Sequence, residues 1–191
     1  MQKDRIIVAG AGGQGALRIG QMLAYAALDD GWEVEWLPSY GAEMRGGTAN
    51  CNVTISDSEI AYPMVTETDC LIVMNDQSLK KFEPNVCANG ILILDRSIIR
   101  DNVDRTDLKV FEIPADHIAE QEGNSKGANM VLLGAYLAVS GRISIEAVSD
   151  VITHSFTGSK SKYADSNKKL VRKGFDYIKE KYAESVNSAE N

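Results

Sequence analysis

Apolar residues occur first in short unbroken runs and later in helical stripes. Residues 6–9 form an apolar run that ends in glycines and predicts a strand. Residues 16–29 follow as a helix, with Leu17, Met22, Leu23 and Ala26 at roughly helical spacing and Gly31 closing it. Residues 33–37 alternate apolar and acidic side chains, as a strand with one exposed face does. Residues 50–55 predict another strand. Residues 69–74 and 90–94 are short and wholly apolar, which suits inner strands of a parallel sheet, and residues 109–113 are a weaker strand. From Asn124 the pattern changes. Residues 124–141 read as a buried helix, residues 145–156 as a second entered through Ser144 as N-cap, and residues 161–183 as a longer, charged third. Strand–helix alternation followed by a helical C-terminal third predicts an α/β fold: a Rossmann-like, open, mostly parallel sheet flanked by helices. The expected organisation is one domain over residues 1–191, with an α/β core at about 3–140 and a helical tail at about 143–183. The last seven residues are expected to fray.

Composition narrows the class. The chain has 191 residues, 44% hydrophobic and 25% charged, enough to bury a core without staples. Cys51, Cys70 and Cys87 include no C-x-x-C pair, the usual spacing of a zinc ribbon or iron–sulfur site, and read as buried free thiols in a reducing compartment. The first fifteen residues lack the pattern of a signal peptide, and no apolar run approaches the roughly 18 residues of a membrane span. A cytoplasmic protein without membrane contact is expected. The net charge of −7 argues against general nucleic-acid binding. Residues 159–181 nevertheless carry a net +5, through Lys160, Lys162, Lys168, Lys169, Arg172, Lys173, Lys179 and Lys181. This stripe reads as a solvated helix face or as a docking surface for an acidic partner.

Two glycine loops carry the candidate chemistry. Gly10, Gly12, Gly13, Gln14 and Gly15 match G-x-G-x-x-G between a strand and a helix. Glycine permits the tight turn and close approach, and the helix start offers N–H groups to an anion. A dinucleotide enzyme would hold the ribose through an acidic residue about 20 positions on. Glu35 stands there, but Trp36, Leu37 and Pro38 still follow it, short of the strand's tip. A packing turn that holds a phosphate or a partner's side chain is the stronger reading, with the Gln14 amide offered into that space. The second loop, residues 38–47, carries Ser39, Tyr40, Gly41, Glu43, Arg45, Gly46 and Gly47. If the strands before the two loops are parallel neighbours, both loops share one sheet edge. Arg45 could then grip a phosphate or carboxylate, or merely pair with Glu43 in a long turn. No catalytic residue and no metal ligand set is visible. His117, just before a short helix, and His154 read as surface residues. Residues 95–97 read as a solvated strand end, and Asn129 as a hydrogen-bonding residue at a helix–sheet contact. Tyr163 and Asn167 are candidates for partner contact.

The segments GAGGQG, PSYGAEMRGGTANCNVTISDSEIAYP and GANMVLLGAYL together resemble the gamma subunit of 2-oxoacid:ferredoxin oxidoreductases, from Ile6 to about Tyr182. The gamma domain of pyruvate:ferredoxin oxidoreductase is the same module. SYG-x-E-x-RGG followed by ISD-x-EI-x-YP looks more like the 2-oxoglutarate and branched-chain (2-ketoisovalerate) members than the indolepyruvate members. The resemblance implies a multi-subunit enzyme. Such an enzyme decarboxylates a 2-oxoacid on thiamine diphosphate, passes electrons through iron–sulfur clusters to ferredoxin, and forms an acyl-CoA. This chain matches none of the family's cofactor-holding parts. Thiamine diphosphate, magnesium and the clusters are therefore expected on alpha, beta and delta type subunits, and the isolated chain is expected to be inactive. Binding or subunit contact falls on Gly10, Gly12, Gly13, Gln14, Gly15, Ser39, Tyr40, Gly41, Glu43, Arg45, Gly46, Gly47 and Asn129. Coenzyme A phosphates would suit Arg45 and the N–H groups near Gly12 and Gly13. A homodimer of the isolated chain is left open. Two alternatives stand beside this reading: a free-standing nucleotide-binding Rossmann-type oxidoreductase, and a scaffold without any ligand.

Overall fold

The computed structural model describes residues 2–39, 48–60 and 67–183. Strands β1 (Lys3–Ala11), β2 (Glu33–Ser39), β3 (Thr48–Ser56), β4 (Thr68–Val73), β5 (Val86–Asp95) and β6 (Lys109–Ile113) form one sheet in the order β2-β3-β1-β4-β5-β6. Around it lie α1 (Ala16–Asp29), α2 (Asp76–Phe82), α3 (Ala115–Gln121), α4 (Ala128–Ser140), α5 (Ile145–Ser155) and α6 (Ala164–Lys181).

The unbroken apolar runs are explained by burial on both faces of the sheet. Ile6 and Val8 of β1, Ile72 of β4, Ile93 of β5 and Phe111 of β6 join a core with α1, α4, α5 and α6. Their alternates Ile7, Ala9, Leu71, Val73, Leu92 and Leu94 pack with Leu79 of α2 and with Ile99. β3 places Cys51, Val53 and Ile55 in the first core and leaves Asn50 and Asn52 half-buried on its other face.

The sheet is mixed. β1, β4, β5 and β6 pair in parallel, whereas β3 runs antiparallel to both of its neighbours. β2 thus points the same way as β1 but is not beside it, which corrects the expectation of neighbouring strands. Pairing direction is set between distant segments, and the alternation within one strand carries no trace of it.

Helix entries follow local chemistry. Ser144 caps α5 by accepting from the Ala147 amide at 3.0 Å, as its position predicts. Asn75 caps α2 by accepting from Ser78 at 2.9 Å. His117 lies inside α3 and is exposed, as is His154. Asp95 is not a solvated strand end. It is fully buried and accepts the amides of Ser97 at 3.0 Å, Ala115 at 2.9 Å and Asp116 at 3.2 Å, which ties β5 to the start of α3. Burial pushes its carboxyl above the usual range, against the pull of these N–H groups.

The C-terminal third is integral to the core. α6 crosses α4 with two glycines at the contact. A Cβ on Gly134 would stand 1.9 Å from the Val171 carbonyl oxygen, and one on Gly174 would stand 1.9 Å from the Val131 carbonyl oxygen. Three of the eight basic residues of the stripe pair with carboxylates within the chain: Lys169 and Lys173 both meet Glu122, and Arg172 meets Glu146 at 3.4 Å. These pairs favour the solvated-face reading of that stripe.

Candidate functional site

The carboxyl ends of β1, β2, β4, β5 and β6 all face one edge of the molecule, where an open α/β sheet collects its ligands. The turn after β1 is held there by three distinct contacts. The Gln14 amide nitrogen of the main chain donates to the Ala11 carbonyl at 3.1 Å. The Gln14 side chain accepts from the Ala11 N–H at 2.6 Å and donates to the Met74 carbonyl at 2.9 Å. Its amide therefore braces β1 against the end of β4 instead of standing free toward a ligand. Gly10 leaves room for this brace: a Cβ there would lie 2.8 Å from Gln14 Oε1 and 3.0 Å from Met74 Cβ.

Gly13 and Gly15 have φ of 95° and 87°, the left-handed region that glycine enters without penalty. Gly15 is also the N-cap of α1, and a Cβ on it would meet Asn129 Nδ2 at 2.4 Å. Asn129 is buried in the first turn of α4, so this contact joins the starts of two helices. A further glycine, Gly20, was outside the motif. A Cβ there would meet Cys51 Sγ at 2.4 Å and Trp36 Nε1 at 3.0 Å, so Gly20 lets α1 lie close on β2 and β3. Its spacing of five from Gly15, repeating that of Gly15 from Gly10, is the available sequence signal.

Two clefts flank this turn. One, of about 430 Å³, is lined by Gly12, Gly13, Gly15, Arg18, Gln21 and Trp36. The other, of about 450 Å³, is lined by Arg18, Lys126, Asn129, Phe156, Tyr163 and Asn167 among others. Arg18 stands between them. Its guanidinium donates to Gln21 Oε1 at 3.2 Å and lies 5.0 Å from the Phe156 ring centre, with no carboxylate partner among the described residues.

Of the second loop, Tyr40, Gly41, Glu43, Arg45, Gly46 and Gly47 lie outside the described residues. Its flanks are visible. Ser39 ends β2 exposed and opposite Asn50, and Thr48 begins β3 opposite Ala11. Both flanks therefore open on the same edge as the glycine turn, with β3 between the two turns.

Glu35 is misplaced for a dinucleotide. It pairs with Thr54 in the middle of β2, four residues before Ser39, and β3 separates that strand from β1. Its Oε2 is buried without a hydrogen-bond partner among the described residues. Cys51 and Cys70 are buried free thiols. Burial pushes the Cys51 thiol up to about 11 and raises the Cys70 thiol well above its ordinary value, so neither is a ready thiolate. Cys87 is half-buried, with Arg5 donating to its sulfur at 3.2 Å. Among the described residues no group of three or more His, Cys, Asp or Glu could hold a metal ion. No described helix is long and apolar enough to cross a membrane.

This mixed six-stranded α/β architecture is shared with a known class of oxidoreductase subunit. The gamma subunit of a keto/oxoacid ferredoxin oxidoreductase from Geobacter sulfurreducens superposes with a TM-score of 0.78, at 27% identity over 91% of this chain and 96% of that one. The chain belongs to the pyruvate ferredoxin/flavodoxin oxidoreductase family, whose profile matches residues 5–177. The 2-oxoglutarate synthase subunit KorC of Methanothermobacter marburgensis is 38% identical over 162 residues, which are 81% of this chain and 87% of KorC. The ketoisovalerate oxidoreductase subunit VorA of the same organism is 36% identical over 177 residues, 92% of this chain. The chain spans about a third of VorA's length, 36% of it.

Proposed function

We propose that the chain is the gamma-type subunit, formed as a single domain, of a cytoplasmic multi-subunit 2-oxoacid:ferredoxin oxidoreductase. The observation that carries this is the match to KorC, a protein named as one subunit, over 87% of its length at 38% identity. The assembly would convert a 2-oxoacid and coenzyme A to an acyl-CoA and CO2, with ferredoxin reduced. The 2-oxoacid class is 2-oxoglutarate or a branched-chain ketoacid, as the names of KorC and VorA suggest. Thiamine diphosphate, magnesium and the iron–sulfur clusters would sit on the alpha, beta and delta type partners, and ferredoxin would be reached through them. This chain contributes a surface. Its carboxyl edge, with Ser39, would face the thiamine-binding partners, and Tyr40, Glu43 and Arg45 would contact them. Arg45 and the turn at Gly12 and Gly13 would border coenzyme A, whose phosphates fit a bidentate guanidinium. The free-standing dinucleotide enzyme is not favoured, because Glu35 stands mid-strand and one strand too far away.

Native affinity purification of the full chain tests the assembly. Subunits carrying thiamine diphosphate and iron–sulfur clusters are expected to co-purify, together with coenzyme A-dependent reduction of ferredoxin by a 2-oxoacid. A chain that purifies alone under gentle conditions would overturn the reading. Within the complex, Arg45→Ala is expected to raise the KM for coenzyme A, and an unchanged KM removes that part alone.

A further inference from the structure

The outer face of α1 is unusual for a helix that meets only water. Its inner face buries Ile19, Met22, Leu23 and Ala26. Leu17, Arg18, Gln21, Tyr25, Leu28 and Asp29 remain half-buried or exposed. At 3.6 residues per turn these six fall within an arc of about 120°. A solvated helix face carries polar and charged residues along its length. Here the middle of the stripe is uncharged, and Tyr25 and Leu28 stand 48% and 52% exposed.

The charges at its ends oppose the helix dipole. Arg18 lies in the first turn and Asp29 closes the last, with Asp30 as the C-cap. The first turn holds no acid and the last no base, whereas the dipole favours the reverse. Nothing within the chain compensates. Among the described residues, the side chains of Asp29 and Asp30 make no hydrogen bond or ion pair, and Arg18 meets only Gln21 and the Phe156 ring.

The stripe is complementary to itself. Reversed end for end about its middle, near Leu23, it sets Gln21 opposite Tyr25, Leu17 opposite Leu28 and Arg18 opposite Asp29. Each pair then occurs twice across a two-fold axis, as an isologous contact requires. Helices packed this way also oppose their dipoles, so each misplaced charge gains a partner of opposite sign. Trp36 shares one groove with Leu17, Arg18 and Gln21 and adds apolar surface for the facing Leu28. Two copies of a chain of net charge −7 repel each other on most faces, but not on one that is uncharged at its centre and pairs opposite charges at its ends.

We propose that the outer face of α1 docks a second copy of this chain, helix antiparallel to helix, with Tyr25 and Leu28 at the centre and Arg18 against Asp29 of the second copy. The proposal does not rest on the subunit assembly above, because the contact needs this chain alone. One helix pair buries less than the roughly 1,200–2,000 Å² of a standard interface, so a dissociation constant of about 1–100 μM is expected.

Sedimentation equilibrium of the full chain over a concentration series tests it. The mass is expected to rise from that of one chain to that of two. Leu28→Glu, at an exposed position, is expected to weaken the dimer by about tenfold or more. Arg18→Glu and Asp29→Arg each set like charges opposite one another and should each weaken it about fivefold or more. Both substitutions suit the helix dipole, so neither is expected to unfold α1. Combined in one chain they restore opposite charges, and the dimer should return to within about threefold of its original strength. That rescue is specific to antiparallel self-pairing. A chain that stays monomeric up to about 1 mM, far above the expected range, would overturn the proposal. So would a dimer that Leu28→Glu leaves intact, or one that the single charge swaps weaken and the double swap fails to restore. If a charge-swapped variant does not fold, Leu28→Glu decides: an unchanged dimer overturns the face and a weakened one supports it.

Discussion

Gly13 and Gly15 share a turn and a positive φ, but only one of them is crowded. Nothing lies within 4 Å of a Cβ built on Gly13, whereas one on Gly15 meets Asn129 Nδ2 at 2.4 Å. Gly13→Ala is expected to cost the left-handed backbone penalty of about 1–2 kcal/mol. Gly15→Ala should add an overpacking cost of about 1–3 kcal/mol to that penalty. Denaturant unfolding of the two variants checks the difference. Equal losses would mean that Asn129 swings aside freely and that the two helix starts are not locked together. The motif made both glycines legible in the sequence, because its spacing encodes a turn. It did not separate their roles, since Asn129 lies far along the chain and the contact exists only after α4 docks. Gln14 was misjudged for a related reason. A polar residue in a glycine loop reads as an open donor, but here two backbone groups of β1 and β4 compete for its amide and win.

Between elements, the α4–α6 crossing is the contact least forgiving of added volume. Gly134 faces the α6 backbone and Gly174 faces the α4 backbone, each with a carbonyl 1.9 Å from where a Cβ would stand. Backbone atoms cannot rotate away, so the helices must separate. Gly174→Ala gains about 1 kcal/mol of helix propensity and is nevertheless expected to destabilise the protein by at least about 1–3 kcal/mol net. Thermal unfolding measures this, and limited proteolysis should cut α6 first. A neutral or stabilising outcome would show that the helices slide apart at no cost. The elements themselves were largely readable. The bounds of α1 and β6 match the apolar periodicity, and Ser144 caps α5 where its position predicted. Short α2 was missed because its seven residues span too few turns for a periodic signal. The insertion of β3 between β1 and β2 was unreadable, since strand partners are chosen by the whole sheet rather than by alternation within one strand. The reciprocal glycines were equally silent: one glycine in a helix reads as a weak point until a second helix is seen against it.

At the scale of the molecule the two ends of the sheet have different chemistry. The amino edge closes on itself. The Tyr136 hydroxyl donates to Asp4 at 2.6 Å, Arg142 stands 3.6 Å from the same carboxylate, and Arg5 grips Asp69 with two side-chain nitrogens at 2.8 and 2.9 Å. The carboxyl edge keeps Arg18 and Lys126 without a carboxylate partner among the described residues and receives both flanks of the second loop. An end whose charges are already paired has little left to offer a partner, whereas cations without a carboxylate do. If the chain assembles as proposed, the carboxyl edge is the buried one. Ser39, exposed at the end of β2, and Ala88, exposed in the irregular start of β5, make a matched pair at opposite ends. Tryptophan at either surface position should leave the melting temperature nearly unchanged. Ser39→Trp is expected to reduce co-purified partner subunits by about tenfold or more, equivalent to at least about 1.4 kcal/mol of association free energy. Ala88→Trp is expected to leave their yield at the level of the unaltered chain. The reverse pattern, with Ala88→Trp blocking assembly and Ser39→Trp tolerated, would turn the subunit end over end and leave the glycine turn facing solvent.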